Sequence, residues 1–217
     1  MTPAYPGLLV VQNDIAAAHE AEFNAWYEEE HFPERLAVPG FLTARRYRDV
    51  SAPQRYAAIY DTASVAVFTS PAYLERLASP SPRTRAIMPR FRNMTRAACE
   101  VVNDRGSTRS PGQVLAWIEV DSPPAAAHQD ALAAAASIGR LRLVLPDAGS
   151  THVPNPEAKF RDGPDRLPPP LLLVEGDDES AVAEAAAGLG KALGTPQPVR
   201  LFRLLLAQDA GAEEAST

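Results

Sequence analysis

Trp26-Tyr27-Glu28-Glu29-Glu30-His31-Phe32-Pro33 is the segment whose residue types and spacing best suit acid–base chemistry. Residues four apart share a helix face, which pairs Tyr27 with His31 and Trp26 with Glu30. An imidazole and a carboxylate then stand beside large aromatic surfaces, the composition of a proton-transfer pocket. Histidine suits that work because an unperturbed pKa of about 6.5 leaves both forms accessible near neutrality. A nearby carboxylate would favour the imidazolium and orient the ring. The same spacing also fits, and taken alone fits better, a solvated acidic helix end with Trp26 and Phe23 as ordinary core.

Other chemistry-bearing residues form weaker patterns. His19, His128 and His152 have no carboxylates at metal-ligand spacing and read as surface residues, so no metal is expected. The single Cys99 excludes an intrachain disulfide and a thiolate cluster, and its place in a strand suits a buried, inert thiol. Arg83, Arg85, Arg90, Arg92 and Arg96 could hold a carboxylate or phosphate on a substrate, although such a run is usually a solvated face. Phosphate loops and nucleophile elbows are missing.

The elements that must position the His31 segment follow from the pattern around it. Residues 7–13 have strand length, with Asp14 placed to cap a helix from Ile15 to about Leu36 that Pro39-Gly40 closes. Residues 41–50 and 55–62 flank a Ser-Ala-Pro-Gln turn and read as a hairpin. Ser70-Pro71 starts a second helix, 72–78, a loop rich in Pro and Arg follows, and 95–103 is a fourth strand. The order is βαββαβ.

After a polar connector, 105–111, the order returns in weaker form. Residues 113–120, 140–145, 171–175 and 199–207 suit strands, 125–138 an alanine-rich helix, and Ser180 can cap a helix that runs to Leu193 and stops at Gly194. Residues 149–170 are too long and proline-broken for a hairpin loop; a lid and a disordered surface insertion both remain open. Residues 210–217 read as a frayed tail. The expected fold is therefore α+β, two tandem ferredoxin-like βαββαβ halves (1–105 and 112–210) packed sheet face to sheet face as an intrachain dimeric α/β-barrel. That arrangement predicts a monomer resembling the dimer of a single-half protein, with a homodimer as the other possibility.

Composition narrows the function classes. Acidic and basic residues balance at 12 against 12 in residues 1–105, and stand at 15 against 9 thereafter, so the second half carries the net charge of -6. Such a balance disfavours nucleic-acid binding, which needs a net basic footprint. No apolar run approaches the roughly 18 residues that span a bilayer, and the first residues lack a signal-peptide pattern, which predicts a cytoplasmic protein without membrane contact.

Trp26 through Pro33, then Val38-Pro39-Gly40-Phe41 and Ala44-Arg45-Arg46-Tyr47, with Tyr73-Leu74 before Pro80-Ser81-Pro82, resemble the dimeric α/β-barrel superfamily and in particular its EthD-like members. The likeness reaches about residue 95 and hardly touches the second half. It implies a cavity between sheet and helices, with His31 pointing in and Tyr47 or Arg45 joining it from the adjacent strand. The superfamily includes cofactor-independent monooxygenases, lactone isomerases, cyclases and some haem proteins.

The first expectation is accordingly an enzyme acting without metal or organic cofactor on a small cyclic or aromatic molecule. His31 would be general acid/base, Glu30 would orient it, Trp26 and Tyr27 would wall the pocket, and Arg45 or Arg46 would hold an anionic substituent. Isomerisation, cyclisation, elimination and oxygenation stay open. A non-catalytic binding or stress-response module and a haem protein ligated by His31 are the alternatives. The second half has no counterpart of Trp26 or His31 on its first helix, so one cavity per chain is expected.

Overall fold

The computed structural model describes residues 5–106, 112–153, 156–161, 163–195 and 198–211. Most of the connector (107–111) and of the expected tail (212–217), and positions 154, 155 and 162 of the long insertion, lie outside them.

Eight strands form one closed antiparallel barrel: β1 (Gly7–Asp14), β2 (Phe41–Asp49), β3 (Arg55–Thr62), β4 (Arg92–Gly106), β5 (Val114–Glu119), β6 (Arg140–Pro146), β7 (Leu171–Gly176) and β8 (Arg200–Asp209). Their order around the barrel is β1-β3-β2-β8-β5-β7-β6-β4. Each run of four strands is ordered fourth, first, third, second. The runs join where β2 pairs with β8 and β4 with β6, so neither run leaves an open sheet edge.

Strand alternation then sorts the side chains into two layers. Leu8, Val10, Ala57, Ile59, Ala97 and Cys99 point inward and meet Leu115, Trp117, Leu171 and Leu173 from the other run. Leu9, Val11, Ala44, Ala58, Tyr60 and Ala98 point outward beneath the helices of the first run. Val114, Ala116, Leu172 and Val174 do the same beneath the helices of the second.

The first-run helices are α1 (Glu20–Trp26), continued by a π turn (Tyr27–His31) into α2 (Phe32–Leu36), then α3 (Pro71–Ala78) and α4 (Pro82–Ile87). The stretch read as a Pro- and Arg-rich loop thus contains a helix. Its start has the same signature as α3: Ser70 and Ser81 each precede a proline at the first helical position, and each hydroxyl accepts the amide three residues on. Asp14 does not cap the first helix. It ends β1 and pairs with Arg55. Gly40 turns the chain from α2 into β2 at φ 96, where a side chain would meet Val67.

In the second run α5 (Gln129–Ala136), α6 (Ala148–Thr151) and α7 (Glu179–Leu193) follow the same plan. Asp178, not Ser180, caps α7 by accepting the Ala181 amide, and Gly194 ends it in the left-handed conformation. No helix among the described residues is long and apolar enough to cross a membrane.

Candidate active site

The helix bearing His31 is irregular where the chemistry sits. Pro33 has no N–H to donate to the carbonyl four residues back, and its ring crowds that carbonyl. The preceding turn is widened to a π turn, in which the Phe32 amide donates to the Tyr27 carbonyl five residues earlier. Single π turns recur at functional sites because they re-aim side chains. Here the turn brings residues five apart into register, so the Trp26 and His31 rings lie 4.2 Å apart at 33°. Tyr27 meets the same imidazole edge-on, with centroids 5.1 Å apart.

Around this stack the helices and the outward face of β1, β3 and β4 close a pocket. Leu9, Val11, Leu77, Met88, Phe91 and Met94 form its apolar wall, while Arg35, Tyr60, Tyr73 and Arg96 bring polar groups toward His31. Glu157, in the short helical turn Pro156–Phe160 of the long insertion, and Arg161 just after that turn complete the lining. The Glu157 carboxylate accepts from Arg35 Nη2 at 2.8 and 2.7 Å, and both side chains are buried. Val153 and Phe160 pack against the same core, so this stretch lies over the pocket as a strap. The free space left beneath it is about 30 Å³, the share of one water molecule in the liquid.

Electrostatics set the protonation states. Burial drives the His31 pKa well below its ordinary value, and the guanidinium groups of Arg35, Arg76 and Arg46 push the same way. The imidazole is therefore neutral near neutrality, and its buried Nδ1 has no hydrogen-bond partner among the described residues. Burial raises the phenols of Tyr27 and Tyr60, which stay protonated. Arg96 donates to the Tyr73 hydroxyl at 2.9 Å and to the Thr151 carbonyl at 3.3 Å. The site thus joins an uncharged base to fixed cations and neutral hydroxyls inside an apolar wall.

Tyr27 and His31 meet at the expected four-residue spacing, Trp26 joins them through the π turn, and the other expected site residues go elsewhere. Glu30 accepts from Thr84 Oγ1 at 3.1 Å and from the Ser81 hydroxyl, tying the π turn to the start of α4. Trp26 Nε1 donates to the same Thr84 hydroxyl at 3.1 Å. In place of the imidazolium expected beside a carboxylate, burial first and then the charges of Arg35, Arg76 and Arg46 favour a neutral imidazole, while Glu30 is held by Ser81 and Thr84.

On β2, period two puts Arg46 on the helix side and sends Arg45 and Tyr47 into the barrel. Arg46 lies over the rings of Phe23, Tyr27 and Tyr56 at 4.4–4.5 Å and donates to Asn24 Oδ1 at 2.7 Å, one layer away from the pocket lining. Arg45 instead joins Asp61, Arg142 and Glu175 in a buried ring of ion pairs at one end of the barrel, with Tyr47 beneath them. Neither Arg45 nor Tyr47 faces His31.

Arg35, Tyr60, Tyr73, Arg96, Glu157 and Arg161 were not recognised as pocket residues. Arg96 belongs to the basic run read as a solvated face, whose other members Arg83 and Arg90 do pair at the surface, with Glu29 and Glu22. Strand parity was the available signal: Arg96 lies one residue before inward-facing Ala97. Among the described residues no three His, Cys, Asp or Glu side chains gather as a metal site.

No protein-family model and no curated protein sequence matches this chain. Among solved structures it is similar to a provisionally assigned monooxygenase from Fusobacterium nucleatum, at TM-score 0.60 and 10% identity over 96% of each chain. It is also similar to an anthrone oxidase-like protein, at TM-score 0.57 and 12% identity over 100% of this chain and 99% of that one. A provisionally assigned chlorite dismutase follows at TM-score 0.52 and 11% identity, over 92% and 95%. At these identities the likeness is one of fold alone.

Proposed function

We propose that this chain is an enzyme that removes a proton from an activated carbon of a small planar aromatic or cyclic substrate, with neutral His31 as base, and passes the resulting carbanion to dioxygen without metal or organic cofactor. The observation that carries the reading is the buried imidazole of His31, which lines a pocket that also holds Arg35 and Arg96 and whose Nδ1 has no partner among the described residues. An uncharged base among cations suits a step that turns a neutral carbon acid into an anion. The cations and the Tyr60 and Tyr73 hydroxyls are already in place for negative charge that delocalises onto a substrate oxygen. Trp26, Phe91 and the aliphatic wall suit a flat ring.

The names of two structural neighbours, a monooxygenase and an anthrone oxidase-like protein, favour oxygenation over isomerisation, cyclisation or elimination. In such a reaction a methylene becomes a carbonyl. One oxygen atom of dioxygen enters the product and the other leaves as water with the two methylene hydrogens. Glu30 is then a positioning residue that anchors the π turn on α4, and Arg46 depresses His31 and braces the helix. Substrate entry requires the strap around Glu157 to lift. The reading also takes 1–105 and 112–210 as ferredoxin-like halves of one barrel, which their identical strand order supports, and takes the segment from Trp26 to Tyr47 as a likeness to the EthD-like members.

Dioxygen uptake with anthrone as probe tests the reading. His31→Ala is expected to slow uptake by about 10²- to 10⁴-fold with the fold intact. Full turnover by that variant would overturn the assignment of the base. Binding of the probe without uptake would favour the sequestering module, and a haem spectrum on adding haem would favour the third alternative.

A further inference from the structure

The two ends of the barrel are built differently. At one end Arg45 and Arg142 alternate with Asp61 and Glu175, two cations against two anions, in a closed and buried ring. At the other end the inward-facing positions are Gln12, Arg55, Thr95, Glu119 and Arg200, each two residues beyond an inward-facing core residue of its strand. With Arg166 from the insertion they line a cavity of about 550 Å³.

Charge and hydrogen bonding in this mouth are incomplete. Arg55 is paired with Asp14 and Arg166 with Glu119. Arg200 makes no ion pair among the described residues; its Nη1 donates to Gln12 Oε1 at 2.9 Å. Burial and the positive charges of Arg55 and Arg166 work against its guanidinium, and Glu119 and Asp49 offset them only in part. Because a guanidinium only donates, it fixes the Gln12 amide with oxygen toward Arg200 and NH₂ away. That NH₂ is buried and has no partner among the described residues, and Gln12 as a whole is only 2% exposed. A buried donor left unpaired is costly, and so is a half-buried cation without a counter-charge.

We propose that this mouth is a second binding site, for a small oxyanion, a carboxylate or phosphate, held by Arg200 and the Gln12 amide with Arg55 and Arg166 beside them. It is distinct from the His31 pocket: Thr95 and Gln12 face into the barrel, whereas Arg96 and Val11 face out beneath the helices. The site does not depend on the proposed reaction.

Calorimetric titration of the whole protein with sodium phosphate and, separately, with succinate tests it. At least one of the two is expected to bind, and which one separates a phosphate site from a carboxylate site. Arg200→Gln is expected to weaken that binding at least tenfold. Gln12→Glu supplies a carboxylate to Arg200 from within and is expected to abolish the same binding while the barrel stays folded. Absence of heat with both anions into the tens of millimolar (on the order of the weakest site of interest), or binding that both variants retain, would overturn the proposal.

Discussion

In the proposed reaction His31 and Arg96 divide the work between a base and a fixed charge. Arg96 is buried beneath α3, with its guanidinium held by the Tyr73 hydroxyl and the Thr151 carbonyl. Replacing it by glutamine keeps a donor of similar reach and removes the charge. Arg96→Gln is expected to lower kcat/KM on anthrone by about 10²-fold, as loss of an oxyanion donor does; steady-state oxygen uptake checks it. At this scale the sequence was partly legible. The types and spacing of Trp26, Tyr27 and His31 led to one pocket, and the structure brings these three together. Arg45 and Tyr47 were misplaced because strand parity was not fixed, and a one-residue error moves a side chain to the opposite layer.

Pro33 and the strap decide the geometry of the elements. The widened turn before Pro33 stacks Trp26 on His31 and frees Glu30 to hold α4. A reading that assumes four-residue helical spacing could not foresee either contact. The basic and proline-rich stretch after α3 was read as loop although Ser81-Pro82 carries the same start signature as Ser70-Pro71. The strap rests on one buried ion pair, Arg35 with Glu157. Glu157→Gln removes the counter-charge and is expected to loosen the strap. Limited trypsin digestion should then cut at Lys159 or Arg161 at least several-fold faster, at a rate reduced when anthrone is bound. Unchanged cleavage would mean that the pair does not hold the strap. Glu157 lies 122 residues from Arg35, a separation that no local pattern reveals.

Across the whole molecule, the buried ring at one barrel end joins the two runs of strands, since Arg45 and Asp61 come from the first and Arg142 and Glu175 from the second. Breaking a buried pair by removing one partner leaves an uncompensated charge, which costs about 3–5 kcal/mol. Asp61→Asn is expected to lose stability of that order in urea unfolding. Burial alone would raise the Asp61 carboxyl, but Arg142 and Arg45 outweigh it and hold the pKa at about 2, and they lower Glu175 as well. An unfolded aspartate titrates near 3.9, so this stabilisation is complete above about pH 4 and is lost as the pH falls toward 2; Asp61 alone contributes about 2 kcal/mol. Acid unfolding of Asp61→Asn should accordingly be shallower over that window. Eight strands and their grouping by four were legible from apolar runs and turn residues. The closing pairs β2 with β8 and β4 with β6 were expected only as face-to-face packing, because edge pairing depends on register between distant strands.

The proposed role of His31 as a neutral base at physiological pH can be checked by imidazole NMR across a pH titration. Comparison with His31→Gln identifies its signals among those of His19, His128 and His152. The His31 ring is expected to stay neutral from pH 7.5 to well below its ordinary value of about 6.5, because burial and the charges of Arg35, Arg76 and Arg46 disfavour its cation. An imidazole that takes up its proton at or above pH 6.5 would contradict it.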